Sequence, residues 1–189
     1  MGTPESSTSP RVLLDVTDLV EFCQRRESVS GVQRVVAEVA PLLAKECGGT
    51  CVVLDRGRGC FVSLNVGEHH DLIDQGVRAG FTTDPLSLAE IATAAIERAR
   101  SATPLEINQE TVLVFLGALW INDALMMAAR SAFLSGARIV SLLYDLTPVL
   151  ETGHTAAVNN LFERYLQLLL DTASRVPAIS KSSRRDFED

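Results

Sequence analysis

"TVLVFLGALWINDALMMAARSAFLSGARIVSLLYDLTP", residues 111–148, decides the fold. Its first segment, "TVLVFLGA", is an almost unbroken apolar run, which suits a strand covered on both faces. "INDALMMAARSAFLSG" then reads as a helix that stops at its glycine. "ARIVSLLYDL" is a second buried strand. Its apolar character ends at Tyr144-Asp145, and Pro148 forbids the ladder from continuing. Downstream, "TAAVNNLFERYLQLLLDTA" predicts another helix, "RVPAIS" a short strand, and "KSSRRDFED" the opening of one more helix. Strands and helices that alternate through short links imply right-handed crossovers and a parallel sheet.

The upstream half fits the same plan. "RVLLDVTDL" opens with a strand, and "VEFCQRRESVSG" reads as a polar link. "SGVQRVVAEVAPLLAKECGG" carries apolar residues at the three-and-four spacing of an amphipathic helix. Ser30 can cap its start, Gly48-Gly49 end it, and Pro41 predicts a kink or an early break. "TCVVLDRGRGCFVSL" reads as a hairpin turning at "RGRG". Asn65 to Thr83 shows no firm period, whereas "DPLSLAEIATAAIERAR" predicts a helix capped by Asp84 with Pro85 in its first position. The expectation is one doubly wound, Rossmann-like α/β domain over residues 11–189, its sheet mostly parallel with helices on both faces. A polar leader, "MGTPESSTSP", occupies residues 1–10 and is expected to be disordered.

A chain of 189 residues, 47% hydrophobic and 22% charged, can bury a core of its own. Its net charge of −7, with no basic run, is a poor footprint for nucleic acid. The leader lacks the basic start and apolar centre of a signal peptide, and no apolar run is long enough to span a membrane. The cytoplasm is therefore the expected compartment, with peripheral contact at a membrane surface compatible with the reading. Cys23, Cys47, Cys51 and Cys60 show no metal-binding spacing, and the three histidines form no ligand pair, so free thiols and no metal are expected.

Parallel strands deliver their C-terminal ends to one rim, where open α/β sheets bind ligands. That rim would carry Asp15, Thr17 and Asp18, the turn from Gly117 to Trp120, Tyr144-Asp145, and Ser180. The helix beginning near Ser30-Gly31 would aim its free N–H groups there, with Gln33 and Arg34 in its first turn. Unpaired amides beside a guanidinium favour an anion such as a phosphate or diphosphate. Each residue also has a plain structural reading: Asp145 as a turn former or cap, Tyr144 as a half-buried phenol bonded locally, Arg34 as a surface charge. Asp15 and Asp18 read as structural turn acids, Trp120 as either core or a sugar-stacking platform, and Met126-Met127 as core.

"LLDVTDLV", "SGVQRVVAEVAPLL", "VFLGALWIND", "GARIVSLLYDLTPVL" and "VPAISKSSRRDFED", in that order from Arg11 to Asp186, resemble the N-terminal half of a glycosyltransferase. The resemblance is to the GT-B type with two Rossmann-like domains, in the group 1 or family 4 class. It implies a domain that holds a saccharide or other hydroxyl acceptor, facing a C-terminal domain that binds a nucleotide-sugar donor. Such enzymes build surface polysaccharides and glycoconjugates, with the nucleotide-sugar as co-substrate and no metal or other cofactor. The resemblance makes Ser30-Gly31 the loop that approaches the donor phosphates and Ser180 the serine that ends the last strand of the N-terminal domain; Arg34 joins them only through its place in the first turn after that loop. It makes Tyr144-Asp145 the pair at the acceptor, where many relatives have His-Asp.

This sequence departs from that pattern at two positions: the loop has one glycine rather than two, and Tyr144 stands where histidine is common. A phenol titrates near pKa ~10, so a histidine's acid–base role does not carry over to Tyr144. The donor half, with its paired glutamates, is expected from a further domain in cis or from another polypeptide. An E-x7-E string from Glu38 to Glu46 lies on the first amphipathic helix and reads as coincidence. The alternative, from a different class, is a non-catalytic Rossmann-like binding module or one half of a split complex.

Overall fold

A computed structural model describes residues 10–25, 31–64, 85–150 and 153–188. Six strands form one sheet: β1 (Arg11–Asp15), β2 (Thr50–Asp55), β3 (Cys60–Ser63), β4 (Thr111–Phe115), β5 (Arg138–Ser141) and β6 (Ala173–Arg175), in the order β3-β2-β1-β4-β5-β6. All neighbours run parallel except the β2–β3 hairpin. The helices are α1 (Thr17–Arg25), α2 (Gly31–Cys47), α3 (Pro85–Ser101), α4 (Asp123–Leu134), the short α5 (Thr147–Leu150), α6 (Ala156–Thr172) and α7 (Lys181–Glu188). The α/β, doubly wound, mostly parallel architecture expected from the sequence is present.

Alternation along each strand divides the core in two. Leu13, Leu113 and Ile139 point to the face covered by α4 and α6, where Phe162 and Tyr165 are buried. Leu14, Val53 and Val62 point to the other face and meet α1, α2 and α3 through Val20, Val36 and Ala95. Two-sided burial explains why the strands read as nearly continuous apolar runs. The helices between β1, β2, β3 and β4 lie on one face, and those following β4 and β5 lie on the other.

Several boundaries differ from the sequence reading. The first half of the segment expected to be a polar link after β1, residues 20–25, belongs to a helix, α1, because Leu19, Val20 and Cys23 recur at helical spacing and are buried. Pro41 does not end α2, which continues to Cys47 and then stops at Gly48, whose φ is +64°. The last strand begins at Ala173, directly after α6, and Ala178 makes only an isolated parallel bridge to Leu143. Met126 is buried as expected, but Met127 is 70% exposed, since the buried positions Leu125, Ala128, Ala129 and Ala132 share one face of α4 and Met127 lies opposite it. The caps expected at Ser30 and Asp84, the leader up to Ser9, and the whole unreadable stretch from Asn65 to Thr83 lie outside the described residues.

Candidate functional site: the carboxyl rim of the sheet

The connection from β1 leaves towards β2, and that from β4 leaves towards β5, so the winding reverses between β1 and β4. In open α/β sheets this switch point is where a crevice forms beyond the strand ends. Here it is spanned by the side chain of Asp18, from the first turn of α1. Its Oδ2 accepts hydrogen bonds from Gln33 Nε2 of α2 (2.7 Å) and from the Ala118 N–H just after β4 (3.0 Å). Asp18 is 4% exposed, and burial raises its pKa despite those two donors.

Gly117 permits this closeness. A Cβ placed there would lie 2.7 Å from Asp18 Cβ and 2.8 Å from Asp18 Oδ2. The nearest atom belongs to the base of a side chain held at its tip, so it cannot swing aside cheaply. Gly117→Ala is expected to lower stability by about 1–3 kcal/mol, the usual range for overpacking. Urea unfolding checks this, and an unchanged midpoint would mean that the Asp18 bridge is not rigid.

Asp15, at the end of β1, is the deeper acid. Its Oδ1 accepts from the Thr17 hydroxyl (2.5 Å) and the Thr17 N–H (3.3 Å), while Thr17 Oγ1 also receives the Leu54 N–H (2.8 Å). Burial is the largest cause of a pKa raised to about 7; the Thr17 bonds oppose it, and the charges of Asp18 and Glu21 add to it. Both acids were read from sequence as structural turn acids. The structure adds that both are buried, Asp15 tied through Thr17 to β2 and Asp18 tied to α2 and to the residues after β4.

Tyr144 is buried beside this network. Its hydroxyl donates to the Leu116 carbonyl (2.6 Å) and lies 3.4 Å from the Val32 carbonyl in the first turn of α2. Burial, with Asp18 and Tyr165 adding, raises its pKa further above the ordinary phenol value. The group is held as a neutral donor, so it bridges β4 and α2 rather than titrating. Its own carbonyl accepts from Ser183 Oγ (2.5 Å). Asp145 next to it is exposed, and its Oδ1 accepts from the Thr147 N–H (3.1 Å), forming the turn that opens α5. The other carboxylate oxygen has no partner among the described residues.

Ser180 caps α7, accepting from the Ser183 N–H (3.0 Å), and lines an open groove beside β6 rather than the crevice. Gly31 opens α2; a Cβ there would meet nothing within 4 Å, so packing does not impose glycine. Arg34 is exposed on the same helix. Trp120 stacks edge-on against Phe162 at 5.4 Å and Tyr144 at 6.2 Å, as an outer part of the core. The expected residues thus divide. Tyr144 joins the start of α2 to the start of α7, whereas Asp145 and Arg34 are exposed. Ser30 lies outside the described residues.

Sequence reasoning missed a second feature of the rim. A cavity of about 200 Å³ lies at the ends of β1 and β2, between α1 and α3. Glu21 binds the Arg56 guanidinium through both oxygens, and its Oε2 lies 3.6 Å from Arg25 and 3.3 Å from Asn122 Nδ2. The helical spacing of Leu19, Val20 and Cys23 was the signal that could have placed Glu21 and Arg25 on one helix. The described residues contain no cluster of three potential metal ligands, and none of their helices is long and apolar enough to cross a membrane. No protein-family model, curated protein or solved structure matches this chain.

Proposed function

We propose that the chain is the acceptor-side half of a GT-B glycosyltransferase, which moves a sugar from a nucleotide-sugar donor to a saccharide or other hydroxyl acceptor in the cytoplasm. One observation carries the reading. The three segments most specific to the resemblance, "SGVQRVV", "YDLTP" and "ISKSSRRD", meet at Tyr144 through its contacts with Val32 and Ser183. Gly31 opens α2 with space around its Cα, and exposed Arg34 in the same turn adds a cation for the donor phosphates. Asp145 keeps one carboxylate oxygen for an acceptor hydroxyl, to orient it or take its proton. The buried Asp15–Asp18 pair disfavours a diphosphate deeper in the crevice, so the donor belongs at the rim, against a second domain in cis or in trans.

The test is sugar transfer, read as nucleoside diphosphate release from a panel of nucleotide-sugars with saccharide acceptors. Residues 1–189 alone should be inactive, because binding to remote parts of the donor positions its anomeric carbon and one wall cannot supply it. Addition of the donor-binding half should restore transfer. Turnover by residues 1–189 alone would refute the division of labour. A specific observation favours the alternative of a non-catalytic binding module: the Tyr144 hydroxyl and the Ser180 side chain are both engaged in holding the fold. No transfer with any donor half would establish that reading instead.

A further inference from the structure

We propose that the cavity between α1, α3 and the β2–β3 turn holds one negatively charged sugar unit. On the transferase reading, from which the sugar identity is taken, this is the terminal unit of the acceptor. Size limits the ligand first. The cavity's volume of about 200 Å³ is below the ~300 Å³ at which pockets for larger ligands begin, yet several times the ~30 Å³ share of one water. One ring with its substituents fills it, and the rest of a larger ligand would project into solvent.

Charge limits it next. The chain carries −7 overall, yet three guanidiniums, from Arg25, Arg56 and Arg100, line this cavity. Glu21 is the one lining carboxylate available to them, and Arg56 already occupies both of its oxygens. The other lining acid, Asp55, is tied to Arg58 at 2.5 Å, whose guanidinium also binds the Ala99 and Ala102 carbonyls and so turns away. Arg58 accordingly holds the Asp55 carboxyl below its ordinary pKa. Positive charge remains in excess at the mouth, where Arg25 is 64% exposed and Arg100 has no partner among the described residues. An anionic group on the ligand answers it.

The floor completes the description. Half-buried Ile96, with the edges of the buried Val20, Val53, Leu54 and Ala99 beneath it, gives a small apolar patch for the C–H face of a pyranose. Gln24, whose Nε2 donates to Thr93 Oγ1 at 3.3 Å, keeps its carbonyl oxygen for a sugar hydroxyl. The cavity opens on the same rim as Asp18 and Tyr144, at the ends of neighbouring strands.

The test is direct binding to the full chain without donor, followed by backbone amide NMR shifts. The probes are glucuronate, glucose 6-phosphate, glucose and inorganic phosphate. Glucuronate or glucose 6-phosphate should bind at least tenfold more tightly than glucose or phosphate, shifting amides around Gln24, Gly57 and Ala99. The tighter of the two identifies the anion as carboxylate or phosphate. Arg100→Ala and Arg25→Ala, both at exposed positions, should each weaken that binding about tenfold. Equal binding of glucose, equal binding of phosphate, or indifference to both substitutions would overturn the assignment. Failure of sugar transfer with intact anionic-sugar binding would refute only the transferase reading. Transfer to neutral acceptors that ignores both arginines would refute only this inference.

Discussion

Stability is expected to fall as the pH rises from about 4 to about 7, and Asp15→Asn should remove most of that fall. Asp15 is 1% exposed, and burial raises its folded-state pKa from 3.8 to about 7. The folded protein therefore holds a proton that the unfolded chain releases near pH 4. Below that value both states are protonated and the residue is neutral in its effect. Between the two pKa values the unfolded state gains by ionising first, so stability declines with pH, and above about 7 the loss is complete. A shift of roughly three units at ~1.4 kcal/mol each sets the scale at about 4 kcal/mol. Asp18, also raised by burial, acts in the same direction. Asparagine retains the oxygen that accepts from Thr17 but cannot ionise. Urea unfolding at pH 5 and pH 8 should show a drop for the wild type and a clearly smaller drop, the part due to Asp18, for Asp15→Asn. A wild-type protein more stable at pH 8 than at pH 5 would reverse the assignment.

The second large effect concerns Asp145. Its Oδ1 holds the turn at Thr147, and asparagine can accept that bond equally well. Asp145→Asn thus removes charge and basicity while leaving the local structure intact. On the transferase reading, turnover by the complete protein should fall at least ~100-fold, the lower end of what a positioned acid–base group contributes. The unfolding midpoint should stay within about 0.5 kcal/mol of wild type, as for ordinary surface changes. The informative comparison is Asp145→Ala, which loses the turn bond as well. If both variants lose stability and keep full specific activity, Asp145 is only the residue that starts α5.

The parallel sheet and its two-sided burial were legible because apolar runs with glycine and proline stops report them directly. Leu13, Leu113 and Ile139 could be assigned to strands from local sequence alone. The carboxyl rim was legible in outline for the same reason, since strand ends follow from strands. What joins the rim was not. That Asp18 meets Ala118, one hundred residues away, depends on the strand order placing β1 beside β4, and no local spacing encodes it. The helical phase of α1 was obscured by "QRRE", whose charge density outweighed three buried apolar positions in a nine-residue helix. The role of Tyr144 was hidden too, because a phenol at a strand end looks the same whether its hydroxyl faces a ligand or a carbonyl.

The two margins of the sheet bear on self-association. Open strand edges are templates on which other chains can add, a route to aggregation. At one margin, β3 is bridged on its outer side by the chain at Pro104, and the Leu105 N–H already occupies the Phe61 carbonyl. At the other, β6 has three residues, and its pairing with β5 shifts register between Ile139 and Val140. A partner strand would find the first edge taken and the second too short and irregular to extend a ladder. Lengthening and regularising β6 for extra stability would therefore create the flat edge that the natural sequence avoids.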